Sequence, residues 1–492
     1  MASRSSEVNF TKNYTLLYLY LYKHAIVLRR MKKTTLDPDS LTSYRPISNL
    51  SFISKVVVRV VARRLMSHIT THSLLPSRQS AYRRFHSTET VVALVHNELV
   101  RSIDDGRVIA LVLLDLSSAF DTVNHSILLS TLSRRFAVTD TSLDWFQSYC
   151  CGRSQSVSYA GVSTTASALD CSVPQGSALG PLKFICYTED VSNVFRRHGV
   201  KFHLFADDKQ VYVSGHVSDV NAIRKQLSDC AADIAAWCSS RRLQLNASKT
   251  ELIWFGSRTN LLKLSDHDLT ITVTSDRIQP VNSVRDLDLG VKLDSELSMK
   301  QQVSNITRAC FYHLRRLRQI RCRAGYKVTV RLVLALIISR LDYCNAMLAG
   351  LPASTIEPLQ RVQNAAVRLI LQLGPKDHVT QGLHQLHWLP IRYRITFKLC
   401  VLMYTAHCGS SPTYITDMIC SRQLSTLRQG LRSAATSNYV EPRLRTKFGE
   451  RAFSFAGPHA WNQLPTSLRA TPHLNSFKKQ LKTHLFNIAF SH

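Results

Sequence analysis

The run Val108-Ile-Ala-Leu-Val-Leu-Leu114 contains no polar residue and ends directly on Asp115. A strand with one wet face alternates apolar and polar residues. An uninterrupted aliphatic run predicts instead a strand buried on both faces, and so a sheet covered on both sides. Residues 201–205 and 210–213 are two more strand signals, separated by Ala206-Asp207-Asp208-Lys209, and read as strand, tight turn, strand. An Ala-Asp-Asp triplet by itself is weak, because paired aspartates in turns are usually just solvated. Here the pair follows Asp115 by 92 residues, and both acidic tips end apolar strands. If those strands are neighbours, Asp115, Asp207 and Asp208 converge at one edge of the sheet, where their repulsion calls for divalent cations. Residues 219–237 then predict a helix with Ile223, Leu227, Cys230, Ile234 and Trp237 on one face and Ser218 or Asp219 as its cap. The order strand, helix, strand hairpin, helix matches a split βαβ sheet.

The rest of the chain surrounds this unit. Residues 54–69 place Val57, Val58, Val61, Leu65 and Ile69 at helical spacing, with Arg59, Arg63 and Arg64 among them. Residues 296–340 read as strongly helical, and no acid occurs from 297 to 341 although ten lysines and arginines do. A further amphipathic helix carries Leu359, Val362, Ala366, Leu369 and Ile370. Beyond about residue 375 Pro, Gly and Ser become more frequent, and a separate C-terminal region is expected. With 492 residues, 45% of them hydrophobic, the chain has material for several packed units. Its 62 Lys and Arg against 33 Asp and Glu give a formal charge of +29, which suits a polyanion: nucleic acid first, an anionic membrane surface second. The 12 cysteines show no C-x-x-C spacing, which excludes a zinc knuckle or disulfide framework and fits reduced thiols in the nucleus or cytoplasm. The apolar run at 16–22 is far short of the roughly 20 residues that cross a bilayer and lacks a signal-peptide cleavage pattern, so a protein neither secreted nor membrane-spanning is expected.

Three segments resemble the A, B and C motifs of reverse transcriptases: Leu113-Leu-Asp-Leu-Ser-Ser-Ala-Phe-Asp121, Ser172-Val-Pro-Gln-Gly-Ser-Ala-Leu-Gly-Pro181 and Phe205-Ala-Asp-Asp208. Tyr44-Arg-Pro-Ile-Ser48, Gln79-Ser-Ala-Tyr-Arg83, Leu245-Asn-Ala-Ser-Lys-Thr-Glu251 and Leu341-Asp-Tyr-Cys-Asn345 extend the match, in order, to the polymerases of LINE-type, non-LTR retrotransposons. The resemblance implies an α+β right-hand polymerase with fingers, palm and a helical thumb, followed by a mainly helical C-terminal region. Its divisions would be an N-terminal appendage to residue 35, fingers at 36–105, palm at 106–260 with a fingers insertion at about 140–195, thumb and its connection at 261–375, and the remainder at 376–492.

It also implies roles. Asp115 and Asp207 would share two magnesium ions (manganese is the alternative), with Asp208 more peripheral. Cations about 3.5–4 Å apart would activate a primer 3′-hydroxyl and stabilise the departing pyrophosphate. Lys249 would stand near that leaving group as a proton donor. Phe120 occupies the place of the aromatic that blocks a 2′-hydroxyl and selects dNTPs; the bland alternative is a core aromatic. Gln175 and Gly176 would approach the template base pair. Arg83, and more weakly Arg45, would hold the triphosphate. Arg308, Arg315, Arg316, Arg318, Arg321 and Arg323 would grip the duplex of RNA template and DNA primer through phosphates.

Some features depart from the family pattern. Fewer than 40 residues precede the first fingers motif, so an endonuclease is not expected within the sequence given and target nicking would come from elsewhere. Lys183 and Lys209 replace apolar or hydroxyl residues, and Val284-Arg-Asp-Leu-Asp-Leu-Gly-Val291 carries two extra residues. A non-catalytic nucleic-acid-binding remnant is therefore the alternative to an active polymerase. A maturase or an RNA-dependent RNA polymerase is a third reading, which Phe120 opposes.

Overall fold

A computed structural model describes residues 23–32, 37–40, 43–117, 119–159, 161–173, 176–285, 290–419 and 438–490. The apolar run at 16–22, Gln175 and residues 286–289 of the extended motif lie outside the described residues.

The apolar run forms β3 (Val108–Ser117), which is central in an antiparallel sheet ordered β7 (Lys201–Phe205), β8 (Asp208–Gly215), β3, β9 (Gln244–Phe255). Successive side chains of β3 enter different cores. Val108, Ala110, Val112 and Leu114 pack on one side with residues of α3 (His125–Phe136), α4 (Asp140–Cys150), α5 (Gly180–Tyr187), α6 (Val191–Arg197) and α7 (Val220–Ser240). Ile109 and Leu111 pack on the other with α2 (Thr88–Asp104) and helices from the second half of the chain. The strand is covered on both faces, as its composition requires. Each fully buried Val, Ile or Leu contributes about 1.5–3 kcal/mol of transfer free energy, so slipping β3 by one residue is strongly opposed.

Helix α7 starts as expected, but the cap differs in detail. Asp219 Oδ2 accepts from His216 N at 2.9 Å and Ser218 Oγ donates to Asp219 Oδ1 at 3.0 Å, so the acid braces the preceding 3₁₀ turn and no side chain caps α7 itself.

Residues assigned to an appendage contribute a strand. β1 (His24–Met31) pairs antiparallel with β2 (Tyr44–Asn49) and parallel with β4 (Arg153–Tyr159), which also pairs with β5 (Val162–Ser163) and β6 (Ser167–Leu169). The chain's first strands and the insertion after α4 thus make one sheet. α1 (Phe52–Thr71) follows, with Ser51 accepting from Ser54 N as its cap.

The acid-free segment is bent. α8 (Lys300–Val333) breaks at Gly325, whose φ of 70° and ψ of 172° are not helical, and the chain folds back until Arg340 Nη2 lies 3.4 Å from His313 Nε2. Glycine takes this left-handed conformation without a Cβ penalty.

The C-terminal segment is not set apart. α9 (Ala353–Leu371), α10 (Ile391–His407), α12 (Phe453–Asn462) and α13 (Leu474–Phe490) share one core with α2 and the β3 sheet. Polar contacts fix the wrap around α2. Lys398 Nζ pairs with Glu89 at 2.8 Å, Ser454 N donates to Asn97 Oδ1 at 2.9 Å, and Arg445 N and Thr446 N donate to Asp104 at 3.0 and 2.8 Å. Some of the Pro, Gly and Ser that suggested a boundary lie inside these helices, among them Ser454, Gly457 and Pro458 of α12.

His96 lies at the centre of this wrap, and among the described residues its Nε2 has no hydrogen-bond partner. Burial, with the Arg451 guanidinium adding to it, pushes the imidazole down to about 3. An unfolded chain binds this proton near pH 6.5 and the folded chain only near 3, so the neutral imidazole's contribution is full above pH 6.5 and is lost as pH falls from there. Thermal unfolding is expected at a lower Tm at pH 5 than at pH 7.5, with a smaller difference in His96→Leu. An equal difference in the variant would exclude His96 as a source.

Candidate active site

Two neighbouring strands carry the acids at the same end, although among the described residues no group of three or more His, Cys, Asp or Glu is arranged to hold a metal ion. The β3–β8 ladder pairs Leu114 with Lys209, so the next step opposes Asp115 to Asp208. β7 and β8 join through a two-residue loop, Ala206 and Asp207, because Phe205 pairs with Asp208. Ala206 takes a φ of 59°, a left-handed conformation that costs a non-glycine residue roughly 1–2 kcal/mol. Strain of this kind persists only where neighbours hold it. Here Ala206 N donates to Gln79 Oε1 at 3.4 Å and Lys209 Nζ donates to Asp207 O at 3.0 Å.

Lys209 is only 1% exposed. Burial pushes its ammonium below the ordinary lysine range, against the pull of Cys238 and of Asp207, Asp208 and Asp115. The residue that departed from the family pattern is therefore a buried cation beneath the acidic turn. Lys183 is buried as well, with Nζ 4.6 Å from the centre of the Tyr149 ring.

Lys249 reaches the acids by an irregularity in β9. Leu113 pairs with Glu251 but Asp115 pairs with Asn246, so residues 247–250 bulge opposite Leu114 alone. From this bulge Lys249 Nζ donates to Asp115 Oδ2 at 3.2 Å. The pair is partly exposed, so it contributes little to stability. What it supplies is a mobile ammonium at the carboxylate.

Tyr82 was not singled out in the sequence. It is only partly covered, has a φ of 60°, and its phenol is pushed up by that partial burial and by the charges of Asp207 and Asp208. Its neighbour in the same motif, Arg83, was singled out instead. The structure turns Arg83 back onto its own loop, where Nη1 donates to Pro76 O at 2.8 Å and Gln79 O at 2.9 Å. Arg45 is exposed on β2, opposite Arg30 of β1.

Phe120 follows β3 and is half-buried, its ring stacked on Phe184 of α5 at 4.7 Å. Its carbonyl accepts from Val173 N at 2.9 Å, joining the first acidic segment to the Gln-Gly loop. Gly176 in that loop has a φ of 108°, and a Cβ there would lie 3.2 Å from Ser48 O. The close approach that glycine permits is thus to the β2 backbone. Among the thumb cations, Arg308, Arg315, Arg316, Arg318 and Arg323 are exposed, whereas Arg321 is half-buried and donates to Leu369 O at 3.1 Å.

A palm sheet with three aspartates at one end is matched by a family model described as reverse transcriptase (RNA-dependent DNA polymerase) over residues 31–282, just over half of the chain. The chain belongs to that family, whose fold is the right-hand polymerase. Within the family it is similar to retrotransposon polymerases of Drosophila melanogaster. It is 27% identical over 68% of this chain to the probable RNA-directed DNA polymerase from transposon BS, and 24% identical over 56% to that from mobile element jockey. It spans about a third of the length of these curated relatives, 36% and 30%. A telomerase structure from Candida Tropicalis aligns with 76% of this chain and 60% of its own at 12% identity and a TM-score of 0.41.

Gly176→Ala is expected to lose about 1–3 kcal/mol of stability, from the positive φ and the crowding of Ser48 O, read as a fall in Tm or in the denaturant midpoint. An unchanged midpoint would mean that the loop moves off β2 without cost.

Proposed function

We propose that this chain is an RNA-directed DNA polymerase of a LINE-type retrotransposon, adding deoxynucleotides to a primer 3′-hydroxyl on an RNA template. The observation that carries the reading is the acidic end of the central sheet: Asp115 and Asp208 each one residue beyond the Leu114–Lys209 pair, Asp207 in the braced turn before Asp208, and Lys249 on Asp115. Residues 36–105, joined by β1, act as fingers, 106–260 as palm with its insertion at 140–195, and 261–375 as the connection and thumb.

Carboxylate oxygens suit hard divalent cations, magnesium or manganese, rather than zinc, and since the described residues hold no preformed metal-binding group the three acids would have to close on the ions as these bind. Asp115 and Asp207 would hold two ions between them, with Asp208 at the margin. Bound there, the cations supply Lewis acidity to the 3′-hydroxyl and to the departing pyrophosphate.

The chain's own residues do the rest. Lys249 leaves Asp115 and hands a proton to the pyrophosphate oxygen. The Phe120 ring, fixed by its stack on Phe184, occupies the space a 2′-hydroxyl needs. Gln175 meets the template base, and Gly176 lets that loop lie flat on β2. Arg83 gives the triphosphate the donors that Nη1 does not spend, with Arg45 further out on β2. Arg308, Arg315, Arg316, Arg318 and Arg323 run along phosphates of the RNA–DNA duplex, while Arg321 mainly anchors α8 to α9. Among the described residues no helix is long and apolar enough to cross a membrane, and the protein would work as a ribonucleoprotein in nucleus or cytoplasm.

The two departing lysines do not favour a non-catalytic remnant, because both are buried with partners and so belong to the fold. Primer extension with purified protein, an RNA template, magnesium and dNTPs decides between the readings. Extension that falls at least about a hundredfold in Asp207→Asn is expected. Tight duplex binding with no extension by the unaltered chain would support the remnant. On the same template Phe120→Ala is expected to raise relative rNTP use by about tenfold or more, as removal of a steric block does. Unchanged sugar selectivity would reject the gate.

A further inference from the structure

The C-terminal segment meets the fingers through a buried hydrogen-bond chain whose direction is fixed. Tyr414, on α11 (Thr413–Asp417), is 4% exposed, and its hydroxyl lies 2.9 Å from both Ser80 Oγ and Thr90 Oγ1. Thr90 Oγ1 donates its own proton to Ser87 O at 2.8 Å, so it accepts from Tyr414. With the phenol proton spent there, Ser80 donates to Tyr414 and accepts from His203 Nε2, 3.0 Å away. Each hydroxyl then donates once, Thr90 Oγ1 also accepting from Ser87 N at 3.0 Å, while among the described residues the buried His203 Nδ1 at the end of the chain has no partner.

Ser80 links this chain to the acidic turn. Its backbone N donates to Leu204 O at 3.0 Å and Leu204 N donates to Arg78 O at 2.9 Å, so residues 78–80 run along the outer edge of β7 as a bridging strand. Gln79, between them, is 2% exposed and accepts at Oε1 from Ala81 N at 3.0 Å and from Ala206 N at 3.4 Å. Ala206 is the strained residue that immediately precedes Asp207.

We propose that Tyr414 is a positioning residue for the Asp207–Asp208 turn, acting through Ser80 and Gln79. The C-terminal segment thereby helps to shape the acidic site. A two-residue loop with a left-handed alanine depends on outside support, and Gln79 supplies part of that support only while residues 78–81 stay seated on β7. The consequence for catalysis rests on the polymerase reading; the mechanical coupling does not.

Hydrogen exchange followed by mass spectrometry on the full chain separates the two. Tyr414→Phe keeps the ring, which lies edge-on to His203 and His86 at 5.6 and 5.7 Å, and removes only the hydroxyl. Peptides covering residues 203–210 are expected to exchange about fivefold faster in Tyr414→Phe, as for loss of one buried hydrogen bond. Ser80→Ala should do the same, and the double variant should be no faster than the faster single. Lys398→Met, which breaks the Lys398–Glu89 pair between the C-terminal segment and α2, is expected to speed exchange in α2 and α10 and leave 203–210 unchanged. Where the unaltered chain extends primers, Tyr414→Phe should lower kcat about fivefold at an unchanged KM for dNTP. Unchanged exchange at 203–210 in Tyr414→Phe, or an equal change in Lys398→Met, would overturn the proposal. Failure of the unaltered chain to extend primers would overturn the polymerase reading instead, and the exchange comparison would still decide the role of Tyr414.

Discussion

Strand β3 is gripped by two cores at once, and this fixes where the chemistry stands. Its side chains alternate between α3 to α7 on one face and the packed set of α2, α8 and the C-terminal helices on the other, so neither translation nor rotation of the strand is cheap. Asp115 is carried at the end of this rigid element, and the β3–β8 ladder sets Asp208 opposite to it. Apolar burial behind the strand ends fixes where these carboxylates stand, and two lysines contact the acidic segments. Lys209 does so from inside the fold and Lys249 from the bulge in β9.

Much of this centre is legible in the sequence because it rests on local patterns. The aliphatic run of β3, the Asp-Asp turn and the apolar face of α7 each carry their own periodicity. Other features depend on partners far along the chain. β1 offers only a short apolar stretch, and its parallel partner β4 lies some 130 residues later, so nothing local marks it as a strand of the fingers sheet. The bulge that delivers Lys249 is a register shift of β9 against β3, invisible until both strands are placed. Lys209 reads as a departure from the family pattern, yet its aliphatic stem is buried and its ammonium finds the Asp207 carbonyl.

The C-terminal segment shows the same limit most clearly. Its composition suggests a separate region, whereas its contacts are with α2: Thr446 with Asp104, Ser454 with Asn97, Lys398 with Glu89. Such polar pairs join residues more than 300 positions apart and leave no spacing signal in the sequence. Their effect is that α2 is held between the β3 sheet and the last third of the chain.

The central claim is that Asp115 and Asp207 converge to hold divalent cations. Manganese anomalous diffraction from crystals of the chain with primer, RNA template and a non-hydrolysable dNTP tests it most directly. Two peaks about 3.5–4 Å apart, both touching carboxylate oxygens of Asp115 and Asp207, are expected. Well-ordered primer–template and nucleotide with no anomalous peak at the end of β3, or with manganese held elsewhere, would contradict it.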